Sequence, residues 1–326
     1  MPVIGLDLGG TKLSGAIFSD KGDMLYQRKA PLESRQGHAV GALIQSMLLN
    51  LLQVADENAW PVSSVGICVP GIAWQKTGRA WAPNIPGWED YPVLEDILSV
   101  VGERGIQAYL DSDRACYILG EHWRGAAVGC RDAIFLAVGT GIGAGILING
   151  QVLRGAYDIA GAIGWLGLSQ PYREKYATCG DFEYHASGAG LARVALELLD
   201  ADSSHQGLLA GKSADTLTAE DIFEACSAGD RLAMEVVSQA IKYWGMAVAN
   251  LVSLFNPEKI IFGGGVFGPG LQFLDRINEE AKLWAQPISM KQVKLEGAVL
   301  GGEAGLYGAG RLALEQYFDL EDRSIH

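Results

Sequence analysis

Cysteine and basic residues are both in short supply in this chain of 326 residues. The five cysteines, Cys68, Cys116, Cys130, Cys179 and Cys226, stand apart without a CxxC pair, which argues against a disulfide framework or a cysteine-rich zinc knot. The 25 lysines and arginines are outnumbered by 38 acidic residues, which gives a net charge of −13. Because this charge repels the phosphates of nucleic acids and of anionic membranes, we expect neither as a partner.

Targeting segments and long apolar runs are missing as well. A strand is predicted to begin at Val3, which leaves no room for a signal peptide, and no apolar run is long enough to span a bilayer. No segment rich in proline or serine separates the halves of the chain, so we expect two closely packed lobes. A cytoplasmic location is expected from these absences and from the isolated cysteines.

Glycine and hydrophobic residues, by contrast, are abundant. Hydrophobic residues make up 49% of the chain, and the 43 glycines gather at the ends of apolar runs, where they allow the backbone to approach a ligand closely. The patterning predicts two hairpins, Val3–Leu8 with Leu13–Phe18 and Ala133–Val138 with Ala144–Ile148, and a helix over His38–Val54. The order of strands and helices in the two halves indicates one α/β architecture used twice.

Two glycine-rich turns have matching surroundings, LDLGGTKLSGAIF and LAVGTGIGAGILI. A tight turn whose amides point into one concavity binds an anion, and glycine lets phosphate oxygens approach. The pair predicts a polyphosphate held from both sides, although each turn alone could be a plain hairpin. The acid before the first turn is expected to orient hydrated Mg²⁺, and a third cluster, FGGGVFGPG, could lie against an adenine. The predicted nucleotide-binding residues are Asp7, Gly9, Gly10, Thr11, Lys12, Gly139, Thr140, Gly141, Gly264 and Gly265.

Seven stretches follow one another in a characteristic order: GLDLGGTK, GICVPG, LDSDRACYILGE, VGTGIGAGILINGQVLRGA, AGAIGWLGL, FEYHASG and LFNPEKIIFGGGV. From Val3 to about Leu314 the chain thereby resembles the ROK family of sugar kinases and repressors, within the actin/hexokinase/Hsp70 superfamily. The resemblance implies a two-lobed actin-like ATPase (ribonuclease H-like) α/β fold, each lobe a mixed sheet flanked by helices. It implies a smaller lobe at residues 1–112 plus about 303–326 and a larger lobe at 113–302, with ATP and a hexose in the cleft between.

The segment SDRACYILGE falls where these kinases carry their catalytic aspartate, so the resemblance assigns that role to Asp113. The residue is predicted to end a strand and begin a helix. As a general base, its carboxylate would accept the proton of the sugar hydroxyl that attacks the γ-phosphate. Two alternatives stay open, because Asp113 could simply cap the helix and Asp111 could be the base instead.

Sugar contacts are also implied by the resemblance. Asn84 in APNIPGW and Glu183 in FEYHASG fall at the family's sugar-binding positions. Without the resemblance, Asn84 could merely shape a turn, and Glu183 could lie on a solvated helix face. The predicted sugar-binding residues are Gly71, Asn84, Ser112, Asp113, Trp165 and Glu183.

The chain departs from the family pattern at three places. Many members carry an Asn before the catalytic Asp, a Glu-Ile-Gly-His segment and a cysteine-rich zinc motif, where this chain has Ser112, the segment AIGW at 162–165 and only Cys179. A tetrahedral zinc site needs four nitrogen or sulfur ligands, so we expect no structural zinc. Trp165 either stacks on the C–H face of a pyranose or fills the volume left by the metal.

The sequence therefore predicts a glucokinase-like sugar kinase, a transferase of carbohydrate metabolism that phosphorylates a hexose or hexose derivative at a terminal hydroxyl with ATP and Mg²⁺. The alternative is a catalytically weak sugar- or nucleotide-binding member, a sensor or regulator without a DNA-binding module, because the sugar pocket has lost hydrogen-bonding groups. We do not expect a repressor, since no basic arm precedes the first turn, nor an activator ATPase, whose iron–sulfur cluster needs clustered cysteines. The resemblance is compatible with a homodimer, and the identity of the sugar stays open.

Overall fold

The computed structural model of this chain describes residues 1–202 and 204–324. The chain forms two compact units. Unit 1 contains Met1–Gly129, Val152–Ala160 and the chain from Val299 onward, and unit 2 contains Cys130–Gln151 and Gly161–Ala298. Unit 1 thus continues beyond the boundary predicted at residue 112, because the helix that follows residue 112 packs on the C-terminal helix. The last two residues of the segment predicted at 303–326 lie outside the described residues.

Twelve strands and ten α-helices are found among the described residues. In chain order the strands are β1 (Val3–Leu8), β2 (Lys12–Phe18), β3 (Met24–Pro31), β4 (Ser64–Val69), β5 (Ile72–Trp74), β6 (Arg79–Trp81), β7 (Gln107–Ser112), β8 (Ala133–Val138), β9 (Ile142–Ile148), β10 (Gln151–Val152), β11 (Lys259–Gly263) and β12 (Lys294–Gly297). The helices are α1 (His38–Glu57), α2 (Val93–Val101), α3 (Asp113–Arg124), α4 (Asp181–Ala186), α5 (Gly188–Ala201), α6 (Ala219–Ser227), α7 (Arg231–Phe255), α8 (Leu274–Trp284), α9 (Pro287–Met290) and α10 (Ala304–Ser324).

The two large sheets share one topology. The first has the strand order β3-β2-β1-β4-β7, in which β1 is antiparallel to β2 and parallel to β4, and β4 is parallel to β7. The second has the order β10-β9-β8-β11-β12, in which β8 is antiparallel to β9 and parallel to β11. Each sheet thus places the first strand of a hairpin at its centre and adds parallel strands on one side. This repetition confirms the predicted fold class, with a mixed sheet flanked by helices in each unit.

Local patterns located some elements better than others. Both predicted hairpins are present, and Thr218 and Asp221 form a reciprocal capping box at the start of α6. Helices α2 and α8 and the small β5–β6 hairpin were not predicted from the sequence. Helix α8 buries only Ile277 and Ala281, so its apolar stripe is too thin to produce a clear period.

Helix α1 supplies much of the core of unit 1. Its residues Val40, Ile44, Leu48 and Leu51 are fully buried in the hydrophobic cluster that contains the apolar side chains of β1 and β4. Contrary to the expectation from the sequence, this helix is long and apolar enough to cross a membrane by length and composition. Its buried apolar stripe packs inside unit 1.

The backbone of helix α10 lies in close contact with the backbones of β4 and α3. A Cβ added to Gly66 on β4 would overlap the carbonyl oxygen of Ala309, and one added to Gly308 would overlap the carbonyl oxygen of Cys116 on α3. Glycine is therefore required at position 66 on β4 and at position 308 on α10. The small-residue run that opens α10 is explained by this packing.

Candidate active site

The first glycine-rich turn connects β1 to β2. The amide of Gly9 donates to the carbonyl of Lys12 at 2.9 Å and closes the turn, and Gly10, Thr11 and Lys12 are exposed. A Cβ on Gly10 would lie 3.0 Å from Nδ2 of Asn84, so the turn lies directly against that side chain. Unit 1 thus brings together a turn predicted to bind phosphate and a residue predicted to bind sugar.

Asp7 lies beside this turn on β1, in register with Cys68 on β4. Burial raises the pKa of the Asp7 carboxyl, while a hydrogen bond with the Cys68 thiol and the charge of Lys12 lower it. A Cβ on Gly305 would lie 2.8 Å from Oδ1 of Asp7, so the first turn of α10 covers the carboxylate from the other side. Asp7 is therefore held in one position next to the turn.

Asp113 is the first residue of α3. Its Oδ1 accepts a hydrogen bond from the amide of Arg114 at 2.8 Å, and Oγ of the preceding Ser112 caps the helix by accepting from the amide of Ala115 at 3.4 Å. Burial raises the pKa of Asp113 to about 6, against the lowering effect of Arg114 and with a further rise from the charge of Asp7. Since Ser112 provides the cap, the half-buried carboxylate at position 113 is not needed for that purpose.

Asp111 forms an ion pair with Arg154. Its side chain is 3% exposed, and Oδ2 accepts hydrogen bonds from Nε of Arg154 at 2.8 Å and from Nε2 of Gln75 at 3.2 Å. Nη2 of Arg154 lies 2.7 Å from the same oxygen in the ion pair. The other oxygen, Oδ1, accepts from the amide of Ser112 at 2.8 Å. Burial raises the pKa of Asp111 and the Arg154 guanidinium lowers it. Both carboxylate oxygens are thus occupied within the protein, and Oδ2 ties Arg154 of the segment 152–160 to the end of β7.

Parallel strands bring the predicted residues of unit 1 to one edge of the sheet. The first turn follows β1, Gly71 follows β4 and Asp113 follows β7, and the carboxyl ends of β1, β4 and β7 meet at the same edge. Nη2 of Arg114 donates to the carbonyl of Gly71 at 3.2 Å, which ties the loop after β4 to the start of α3. Gly71 has a φ of +85°, and a Cβ there would overlap the carbonyl of Trp81, so only glycine fits.

The second glycine-rich turn, at the equivalent place in unit 2, connects β8 to β9. The amide of Gly139 donates to the carbonyl of Gly141 at 2.9 Å, the amide of Gly188 donates to the carbonyl of Gly139 at 2.8 Å, and Thr140 is exposed. Gly264 has a φ of +88°, and a Cβ there would overlap the backbone of Val138. The third glycine cluster, including the exposed Gly265, therefore begins against the end of β8.

Glu183 faces the second turn. Its Oε2 accepts a hydrogen bond from the amide of Ile142 at 2.7 Å, and a Cβ on Gly141 or Gly164 would lie 2.7 or 2.9 Å from the same oxygen. Burial raises the pKa of Glu183, and the Ile142 amide and the charge of Arg193 lower it. The residue is therefore part of a packed polar site and does not lie on a solvated helix face.

Trp165 ends a short 3-10 turn that also contains Gly164. The tryptophan is 59% exposed, whereas Ile163 in the same turn is 8% exposed and packs into the core of unit 2. The indole therefore does not fill an interior volume. It lines an open pocket instead.

A hydrogen-bonded cluster stands in the stretch where the family pattern has its zinc motif. Asp181 accepts from the amides of Leu168 and Ser169 at 2.8 and 2.7 Å and from the Ser169 hydroxyl at 2.8 Å. Nε2 of His185 lies 3.1 Å from the hydroxyl of Tyr176, and burial lowers the pKa of this histidine. In the part of the chain that the structure describes, no group of three or more His, Cys, Asp or Glu side chains could hold a metal. These residues do not fit a structural zinc ion.

Arg154 and Gln75 are the residues of the site that the sequence analysis missed. Arg154 lies within the quoted stretch VGTGIGAGILINGQVLRGA, which was the available signal. A lone arginine gives no indication of its partner, and here the partner lies 43 positions earlier in the chain.

Comparison with known proteins gives consistent matches over nearly the whole chain. The model of a family described as the ROK family matches residues 3–316. A glucokinase of Halalkalibacterium halodurans is 33% identical over 326 aligned residues, covering 98% of this chain and 96% of the relative.

Two solved structures agree with this assignment. The ROK hexokinase from Thermus thermophilus superposes with a TM-score of 0.79 at 30% identity, covering 99% of this chain and 100% of the neighbour. A ROK family glucokinase from Streptomyces griseus, in complex with glucose and AMPPNP, has a TM-score of 0.75 at 28% identity and covers 97% and 100%. The fold, the order of motifs and the family model therefore agree.

Proposed function

Since this chain belongs to the ROK family and is a sugar kinase that uses ATP, we propose that it phosphorylates a hexose or hexose derivative at a terminal hydroxyl, with Asp113 as the general base. The observation that carries the proposal is the contrast between two neighbouring acids. Asp111 has both oxygens engaged by Arg154, Gln75 and Ser112, whereas Asp113 has a pKa raised to about 6 at the start of α3.

The reaction needs little from the base beyond its position. The hydroxyl oxygen of the sugar attacks the γ-phosphorus of ATP, its proton passes to the carboxylate of Asp113, and ADP leaves. At neutral pH a carboxyl with a pKa of about 6 is mostly ionised and can accept that proton. Because the transition state of phosphoryl transfer is loose, alignment and electrostatic stabilisation supply most of the acceleration.

Mg-ATP is the nucleotide substrate in this proposal. The exposed amides and hydroxyls of the turns at Thr11 and Thr140 donate to phosphate oxygens, and Lys12 adds a positive charge at the first turn. Asp7, fixed beside the first turn, accepts hydrogen bonds from the water shell of the magnesium ion. The exposed backbone of Gly264 and Gly265 offers a flat surface to the adenine.

Polar groups bind the sugar in this proposal. In unit 1, Asn84 lies against the first turn and the Ser112 hydroxyl, which accepts from a helix amide, keeps its own hydrogen for donation. In unit 2, Glu183 accepts hydroxyl hydrogens with the lone pairs that the Ile142 amide does not use. The glucokinase of Halalkalibacterium halodurans makes glucose the first sugar to test.

A reducing, cytoplasmic setting belongs to the same proposal. All five cysteines are free, and Cys68 and Cys116 are fully buried in one small cluster with Ala309. Two adjacent thiols that stay unpaired suit a compartment in which thiols are kept reduced.

The experiment is an ADP-release assay over glucose, mannose, fructose, glucosamine and N-acetylated hexoses, with the Asp113→Asn variant beside the parent protein. We expect the best of these sugars to show turnover and the variant to lower kcat by a factor on the order of 10² or more. Because the amide keeps the size of the side chain, calorimetry should find sugar binding by the variant within a few-fold of the parent.

Two outcomes would contradict the proposal. Equal turnover by the variant and the parent would remove Asp113 from the chemistry. Binding of sugar and ATP without turnover in the parent protein would favour the alternative, a catalytically weak binding protein.

A further inference from the structure

A pocket of about 780 Å³ opens in unit 2 beside the residues discussed above. We call it the Trp165 pocket and define it by Trp165, Ser169, Tyr172, Tyr176 and Asp181, all of which line it. Its volume lies in the range of about 300–1,000 Å³ that is usual for sites that bind small molecules. The phosphorylation of a single hexose does not by itself require this pocket.

Two large aromatic surfaces are exposed in the Trp165 pocket. Trp165 is 59% exposed and Tyr172 is 68% exposed. The ring of Tyr172 packs edge to face on the buried ring of Tyr176, with centroids 6.3 Å apart. This contact helps to fix the position of the exposed ring. Exposed aromatic rings that line one concavity are typical of a binding surface.

Hydrogen bonds within the protein hold part of the pocket lining in place. Asp181 is 6% exposed and holds the segment at Leu168 and Ser169 through three hydrogen bonds of 2.7–2.8 Å. Because these bonds use the carboxylate within the protein, its charge is compensated by amide and hydroxyl dipoles. A ligand would therefore meet a preformed surface and would not have to order the loop.

The chemistry of the lining indicates a neutral ligand. Among the described residues that line the pocket there is no Lys, Arg or His, so no lining side chain brings a positive charge to a phosphate or carboxylate. Gln170 and the backbone at Gly167 also line the pocket and offer hydrogen-bonding groups. Aromatic faces together with polar groups match a sugar ring, which has C–H faces and a rim of hydroxyls.

The pocket adjoins the proposed sugar site through Gly164. A Cβ on Gly164 would lie 2.9 Å from Oε2 of Glu183, and the next residue is Trp165. A Cβ on Gly180, which also lines the pocket, would lie 2.5 Å from the Cα of Trp165. The carboxylate of Glu183 and the backbone of Trp165 thus both adjoin Gly164.

We propose that the Trp165 pocket binds a second, neutral sugar ring, so that the kinase accepts a disaccharide whose other ring contacts Glu183. This inference rests on the proposed function, in which Glu183 binds the ring that is phosphorylated. Trp165 and Tyr172 contact the C–H faces of the second ring, and Gln170 hydrogen-bonds to its hydroxyls.

The test compares glucose with maltose and cellobiose, which carry a second glucose ring through an α and a β linkage. We expect at least one disaccharide to be phosphorylated with a kcat/KM at or above that of glucose. Tyr172→Ala should lower kcat/KM for that disaccharide about fivefold to tenfold, as expected for the loss of one aromatic contact, and leave glucose within twofold. Trp284→Ala, which removes another exposed tryptophan of unit 2, should change neither substrate.

Binding measurements separate this inference from the proposed function. Calorimetry with cellobiose, maltose and glucose should show that Tyr172→Ala selectively weakens disaccharide binding. This result does not depend on whether the protein phosphorylates the sugar. If Tyr172→Ala weakens glucose and disaccharide equally, or if neither disaccharide binds, the second-ring site is refuted even where Asp113→Asn behaves as proposed. A selective loss of disaccharide binding together with an unaffected Asp113→Asn would refute the role of Asp113 and keep the pocket.

Discussion

Replacing Arg154 by methionine tests the assignment of Asp111 to a structural role. The substitution keeps an unbranched apolar stem and removes the guanidinium, so Asp111 loses one of its three hydrogen bonds and its only opposite charge in the described contacts. Breaking a buried ion pair from one side costs about 3–5 kcal/mol, because the remaining charge stays buried without compensation. Asp111 is 3% exposed but Arg154 is 23% exposed. We therefore expect a loss near the lower limit, about 3 kcal/mol.

The loss should depend on pH in a defined direction. Burial already raises the pKa of Asp111 in the parent protein, and Arg154 opposes that rise. Without Arg154 the folded-state pKa of Asp111 rises further above the unfolded value of about 3.9. The free energy of unfolding is therefore lowered at pH values at which the carboxyl is ionised. The penalty is complete above the folded-state pKa and decreases as the pH falls and Asp111 takes up a proton. The deficit should therefore be smaller at pH 5 than at pH 7.

Urea unfolding followed by circular dichroism at both pH values measures the free energy of unfolding. Arg104→Met is the matched control, since Arg104 pairs with Asp56 on the surface, where the side chains are 45% and 60% exposed. Such exposed pairs contribute about 0–1 kcal/mol. Adding Asp111→Asn to Arg154→Met should recover part of the loss. A deficit below about 1 kcal/mol, or one that is equal at both pH values, would show that Asp111 does not depend on Arg154.

Two further predictions address the reaction and the packing. If Asp113 is the base, kcat/KM should fall about tenfold per pH unit below pH 6, because its pKa is raised to about 6 and protonation removes the acceptor; a rate that stays constant from pH 7 to pH 5 would contradict this. Gly66→Ala should lower the free energy of unfolding by about 1–3 kcal/mol or more, because the new methyl overlaps the Ala309 carbonyl, whereas Gly102→Ala, with nothing within 4 Å, should be nearly neutral by the same urea titration.

The two acids at the end of β7 show where sequence reasoning stops. Asp111 and Asp113 have the same side chain, two positions apart on one strand and its following helix, so local sequence offers no means to separate them. Arg154 distinguishes them, and it comes from a segment that lies beyond the next hairpin and returns to unit 1. The position of an ion-pair partner is a property of the folded chain and has no local signature.

Trp165 gives a second case. The sequence left open whether the indole stacks on a sugar or replaces a missing metal in the interior, because an aromatic residue suits both places. Its 59% exposure and its place on the wall of an open pocket exclude the interior position. Whether the indole contacts sugar stays a prediction. The pocket itself was not foreseen, since its surface combines a loop, a 3-10 turn and the start of α4.

The hairpins, the helix that starts at His38, the two glycine-rich turns and the repeated α/β architecture were all determined by the sequence itself. These features depend on side-chain period and on backbone sterics within a few residues, which the order of amino acids expresses directly. The tertiary structure alone decided which carboxylate is paired, that the turn at Gly10 lies against Asn84, and that Gly66 must admit the backbone of α10. Each of these depends on segments that are distant in the chain and become neighbours only when both are packed.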